Sequence, residues 1–384
     1  MTAAMSAPSM TSAGVLAALL ALDLISRVVT HAYYVDASHV MRLLKMLPPA
    51  GPRLPYYKKY DAWFAPLPFV WTWLDILVAV QAAAILGQAW GWLLVTIWSG
   101  GRFRSLQEFG HNAVHFALCP SHAWQWRLSD VFFQFPCFKR DMASRHVTHT
   151  REHHRHPNDP AKDPNRARVF GGGMSRGMRW SQFHLRLLYP LTWRGFQDNI
   201  LLMWRNSQLN HDRVSLACRW SSVALVGAAL WAVAGWKGVV FGWLLPLLTS
   251  YPLFAWLSLL TEHRWFVEGT SCDRRSLEYL HGRPTDYRAP SGWLIRVLVS
   301  PTSDAYHLVH SLYPGVRWNY LPVLDRFLKV NDPDYTRHAS EGLFFSRNDI
   351  PSALSELRER LTVPEGLVLE RRMSSSPIDE PLHE

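Results

Sequence analysis

The chain has 384 residues, 48% of them hydrophobic and 18% charged, with a formal net charge of +10. That composition excludes a disordered tail or a collagen-like fibre and leaves room for one large domain or two ordinary ones. The mean hydropathy of -0.06 averages long apolar blocks against a basic, His-rich middle, and the 19 Trp and 18 His are the unusual counts.

In chain order, residues 13–30 form the first apolar stretch, interrupted by Asp23 and Arg27 at the i, i+4 spacing of one helical face. No Lys or Arg precedes Arg27, so a cleaved signal peptide, which needs a basic start, is not expected. An interfacial or short membrane helix is. Residues 66–99 are too long and too apolar for a core helix, and a break at Leu86-Gly87-Gln88 divides them into two short spans. Residues 217–260 break at Ala234-Gly235-Trp236-Lys237-Gly238, which predicts a tight turn between two spans of suitable length. Ten Trp fall in or beside these blocks, and many suit an interfacial belt.

Between the hairpins, residues 101–216 carry 17 Lys plus Arg, whereas the turns at 87–91 and 235–238 carry only Lys237. The positive-inside rule places this loop in the cytoplasm and the turns on the other side. The basic charge is thereby accounted for without nucleic acid, for which no binding motif or basic stripe is present. Cys119, Cys137, Cys218 and Cys272 lie far apart with no CxxC pair, so neither a disulfide scaffold nor a thiolate zinc site is expected. Gly171-Gly172-Gly173 with Phe170 reads as a plain turn or a flexible lid. From about residue 365 the chain is polar, with Ser and Pro, and is expected to be disordered.

Most of the histidines lie between residues 111 and 310, many in clusters. His111 and His115 form an HxxxH pair one helical turn apart. In the second cluster, His146, His149 and His153 share one face of an α-helix, with His154 a step around it. His307 and His310 make a same-face pair at i, i+3, and Glu262-His263 closes the last apolar segment. Such spacings deliver two imidazoles per helix to one ion. Eight donors exceed what one tetrahedral metal uses, so two adjacent metals are expected. Only two spans within 217–260 return the third cluster to the side of the first two.

The chain resembles the membrane fatty-acid desaturase and hydroxylase superfamily, marked by the histidine boxes HxxxH, HxxHH or HxxxHH, and HxxHH. His111 and His115 match the first box; His149, His153 and His154 match the second in its HxxxHH form. The stretch from Asn158 to Asp163-Pro164 is similar to the Asn and Asp-Pro that follow that box. Tyr306-His307-Leu-Val-His310-Ser-Leu-Tyr-Pro314 resembles the third box, and Glu262-His263 the extra Glu-His upstream of it. One departure is clear: the family's final His is Ser311 here, so that one metal carries fewer protein nitrogens or His146 or a water fills the position.

The resemblance, which runs from about 66 to 325, implies an all-α integral membrane protein. It would have two transmembrane helical hairpins, about four spans, and a cytoplasmic helical cap carrying a His-rich dimetal site. Residues 1–65 would be an N-terminal helix and loop, 66–330 the desaturase-like domain, and 331–384 a C-terminal cytoplasmic segment. The implied metals are two non-haem irons held by His111, His115, His149, His153, His154, His263, His307 and His310, with O2 as co-substrate. The implied reaction is hydrogen abstraction from unactivated C–H bonds of an acyl-lipid, an acyl-carrier or a small hydrophobic metabolite, ending in desaturation or in hydroxylation. With no haem-binding HPGG stretch or iron–sulfur Cys run, electrons would come from a separate ferredoxin-like or other electron-transfer protein. Two rivals belong to other classes: an HxxEH zinc metalloprotease on His149-Thr-Arg-Glu152-His153, and a non-enzymatic membrane haem or metal carrier.

Overall fold

The structure, a computed structural model, describes residues 8–35, 57–208, 212–269, 271, 273–287, 291–347 and 349–362. Cys272 and the polar tail from 365 lie outside the described residues.

The first apolar stretch is longer than expected. Helix α1 (Pro8–Tyr34) runs alongside α2 (Leu67–Leu86). Asp23 and Arg27 do not interrupt it, because other helices answer their charge: Arg27 pairs with Asp23 at 2.8 Å and also with Asp75 of α2. Asp75 in turn lies 3.3 Å from Arg102. Apolar segments tolerate ionisable groups in this way when the groups pair with one another inside the bundle.

At the end of α2, Gly87 adopts φ 67°, a left-handed conformation that costs glycine least. The chain doubles back into α3 (Ala89–Val114), whose Gly91 lies against Ala83. The second hairpin turns where expected. In α4 (Arg213–Val239) the helical path breaks at Ala234 and at Gly235, which has φ 59°. The returning limb packs back on the first, with Trp243 facing Gly227. That limb continues through a π-helical turn (Val240–Leu244) into α5 (Ser250–Glu262).

By length and composition three stretches are able to cross a membrane: 12–34, 61–86 and the doubled-back 213–262. The span expected at 88–99 is the outer half of α3. Its inner half carries Arg102, Arg104 and Glu108, is buried almost throughout, and enters the site rather than the lipid. Trp90 and Trp236, beside the two turns, are exposed as an interfacial belt requires, while Trp256 and Trp265 are core residues.

Close packing sets the position of α3. A Cβ on Gly100 would stand 2.3 Å from the Ser250 hydroxyl oxygen, and one on Gly101 would stand 2.7 Å from Leu298, so only glycine lets these backbones meet. The described part of the C-terminal segment is no separate unit. Leu354, Leu357 and Leu361 share a core with Trp256, Leu260 and Trp265. A minimal parallel pairing, Thr285–Asp286 with Ser340–Glu341, adds the strands found among the described residues. Gly171–Gly173 form a packed turn, with Gly172 against the Trp256 indole and Gly173 against Arg186.

Candidate metal centre

The inner end of α3 brings His111 and His115 into the core, His115 as the residue that ends the helix. The second box departs from the expected α-helix. Residues Val147–His153 are π-helical, and the His154 amide donates to the His149 carbonyl five residues back at 3.1 Å. Widening the turn changes which side chains align. His149 therefore joins His154, and His153 turns to a different set of partners. The third box is the short helix α6 (His307–Leu312), and His263 follows α5 in an extended conformation.

All eight expected histidines come together, in two groups: His111, His115, His149, His154 and His310, and His153, His263 and His307. In the first, the His149 Nε2 lies 2.6 Å from that of His111, 3.0 Å from that of His115 and 3.1 Å from that of His154. In the second, the His263 Nε2 lies 3.2 Å from that of His153 and 3.0 Å from that of His307. One imidazole nitrogen makes a single hydrogen bond, so His149 cannot satisfy three others. A cation between the lone pairs does so, since metal–nitrogen bonds of about 2.1 Å put neighbouring donors about 3 Å apart. His310 agrees with this: both of its ring nitrogens are buried without a hydrogen-bond partner.

His146 does not join either group. Its Nδ1 donates to the Val114 carbonyl at 2.8 Å and its ring packs on Phe116 and Trp126. Ser311 lies one helical turn beyond His307, buried, with an unpartnered hydroxyl. The gap in the third box thus follows His310 of the five-histidine group and lies one turn from His307 of the other. Glu262 and Asp304 offer carboxylate oxygens within 4.8 Å of a His307 ring nitrogen.

Carboxylates behind the rings aim them. The His111 Nδ1 is 3.2 Å from Glu108, which also accepts from Ser303 at 2.9 Å. The His153 Nδ1 donates to Asp163 at 2.8 Å, and the other Asp163 oxygen accepts the Asn158 amide at 2.7 Å. A proton held on Nδ1 leaves the Nε2 lone pair free for a metal. Arg104 ties this layer together, donating to Asp304 at 2.7 Å and to Ser258 at 2.9 Å, and lying 3.5 Å from Glu108. Glu108, three residues before His111, was findable by helical spacing. The Arg104–Asp304 pair, 200 residues apart, was not.

Burial, reinforced by neighbouring positive charge, holds His149, His154, His307 and His310 well below the usual imidazole range. They are therefore neutral, as ligands must be. Burial also opposes charge on His153, but the Asp163 hydrogen bond and charge outweigh it and raise its pKa. Below about pH 6.5 the unfolded chain protonates its imidazoles, while these depressed ones in the folded state do not. Stability of the metal-free protein is therefore expected to fall as pH drops through that value, with His153 contributing in the opposite sense. Thermal unfolding of chelator-treated protein in detergent should give a lower Tm at pH 5.5 than at pH 7.5; equal values would contradict this.

A cavity of about 260 Å³ opens on His111 and His149 and extends past Lys139 to Arg140 and Arg168.

Both rival readings lose their basis in this geometry. His149 and His153 belong to different groups and Glu152 is exposed, so no HxxEH zinc site with its general base is assembled. Nitrogens about 3 Å apart leave no room for a flat macrocycle between them.

The fatty acid desaturase family model matches residues 88–341, a stretch that contains all eight histidines. The chain belongs to the fatty acid desaturase family. A dihydrorhizobitoxine desaturase from Bradyrhizobium elkanii is 25% identical over 305 residues, which cover 74% of this chain and 82% of the relative. Membership makes this desaturase-family chain an oxidoreductase of a membrane-bound family whose members hold two non-haem irons, and the donor set described above fits that centre.

Proposed function

We propose that this chain is an O2-dependent desaturase, removing two hydrogens from neighbouring carbons of an acyl chain or acyl-like metabolite with electrons from a separate carrier. The observation that carries the reading is the pair of adjacent imidazole groups, five and three, with a cavity opening on the larger. The eight histidines would hold two irons, which when bound supply the power to oxidise an unactivated C–H bond. The protein's part is positional. Glu108 and Asp163 fix the tautomer and direction of His111 and His153, and the burial of the imidazole groups limits access of water.

The 17 Lys and Arg of residues 101–216 support a cytoplasmic site and a docking face for an acidic electron carrier. Hydroxylation is the second reading, favoured by the missing imidazole at Ser311, which leaves the three-histidine group a more open position. The desaturase relative favours the first.

Purified protein is expected to contain close to two irons per chain. Lipid and metabolite profiles with and without the gene should differ by a product two hydrogens lighter, or one oxygen heavier if the second reading holds. Iron-free protein, or a strong Soret band, would count against both.

A further inference from the structure

Five of the eighteen residues lining the cavity are apolar, Phe133, Pro164, Leu202, Ala255 and Leu259, and about half of the lining surface is apolar. At about 260 Å³ this cavity is smaller than the roughly 300–1,000 Å³ of pockets that enclose drug-sized ligands, too small to enclose a long acyl chain. Its lining also includes four cations, Lys139, Arg140, Arg145 and Arg168.

These cations differ from buried ones elsewhere in the chain. Arg104, Arg283 and Arg317 each pair with a carboxylate. Among the described residues none of the four cavity cations forms an ion pair. Lys139 lies over the Phe133 and Tyr251 rings, and Arg145 makes a long hydrogen bond of 3.5 Å to the Gln107 carbonyl and is acted on at longer range by Glu108 and Glu262. Two carboxylates line the same cavity, and both also serve other groups. Glu108 serves His111, Ser303 and Arg104, and Glu262 lies with Asp304 and His307. Arg140 and Arg168 are exposed, but Lys139 and Arg145 are half-buried; a partly enclosed cation without an ion pair is costly, and a bound anion offsets that cost. Lys139 registers it: burial and the nearby Arg168 charge push its pKa down to about 7.

A second observation is independent of charge. Asn206, which lines the cavity, is only 5% exposed. Its Nδ2 donates to the Phe138 carbonyl at 3.3 Å, which fixes the orientation of the amide, and its Oδ1 is buried with no partner. A ligand with a hydroxyl or amine donor would satisfy it.

Building on the desaturase reading, we propose that the substrate is a small polar anion, a carboxylate or phosphate ester bearing a hydrogen-bond donor. Lys139, Arg145 and Arg168 hold its negative head, Asn206 takes its donor, and its short body reaches the five-histidine group.

The test uses full-length, iron-loaded protein in detergent, titrated with 2-hydroxyoctanoate, 2-hydroxyoctyl phosphate and, as the neutral amide, 2-hydroxyoctanamide, so that every probe carries the donor for Asn206. At least one of the two anions is expected to bind saturably and about tenfold or more tightly than the amide. Arg145→Gln should cost a similar factor, and Arg168→Gln, at an exposed position without partners, should act in the same direction if Arg145→Gln fails to fold. Arg155→Gln, outside the cavity, should change nothing. The tighter of the two anions identifies the head group. The proposal is overturned if the neutral amide binds as well as both anions, if Arg168→Gln leaves anion binding intact, or if Arg155→Gln weakens it equally. Iron content separates the two levels of argument: two irons without anion binding overturns the proposal alone, whereas absence of iron overturns the desaturase reading itself.

Discussion

Replacing His263 by Ala is expected to leave purified protein with close to one iron per chain and to lower turnover roughly 10³-fold or more. The asymmetry of the site is the reason. The second group contains only His153, His263 and His307, so its loss leaves two imidazoles, too few to retain a metal against solvent. His154→Ala removes one of five donors from the other group. It is expected to keep both irons, with affinity at that group lowered about 10- to 100-fold, as when the support of a metal ligand is lost. Ser311→His, one turn beyond His307, should slow removal of the second iron by a chelator. Glu152→Gln, on the exposed side of the second box, should leave turnover within about twofold, since surface changes away from a site are usually small. Iron analysis and single-turnover assays on the same preparations check the series. A His263→Ala protein with both irons and full activity would refute the assignment of that group.

The largest effect on stability is expected from Arg104→Met. Its guanidinium is buried, as are the two carboxylates it serves, Asp304 and Glu108. It also donates to the Val299 carbonyl at 3.0 Å, joining α3 to the segment that leads into the third box. Methionine replaces much of the volume but strands two buried carboxylates, and breaking a buried pair in this way costs roughly 3–5 kcal/mol. Adding Asp304→Asn to Arg104→Met should recover part of the loss, because one uncompensated charge is then removed. Arg176→Gln is the contrast. Its partner Glu268 is exposed, and such surface pairs contribute about 0–1 kcal/mol. Thermal unfolding in detergent compares the variants, and an Arg104→Met protein as stable as the parent would show that the pair is not structural.

These expectations also mark how far the amino-acid order could be read. The hairpin turns were legible because Gly87 and Gly235 interrupt apolar runs, and a break of this kind is a local property of the chain. The eight histidines were legible for the same reason, since spacings of three to five residues carry their meaning within one or two helical turns. The charges in the first apolar stretch misled. Asp23 and Arg27 read as an interruption because their further partners, Asp75 and Arg102, belong to other helices.

The sequence by itself determined the family, the hairpin that brings the third histidine cluster to the others, and the identity of the eight converging imidazoles. Only the tertiary structure decided how they divide. The π-helical turn sends the adjacent His153 and His154 to different groups and leaves His146 bonded to the Val114 carbonyl. Packing alone likewise brought Arg104 to Asp304 and gathered cations from separate segments around one cavity. The physical reason is range: helical periodicity acts over a few residues, whereas the pairing of buried charges depends on which surfaces meet after the chain has folded.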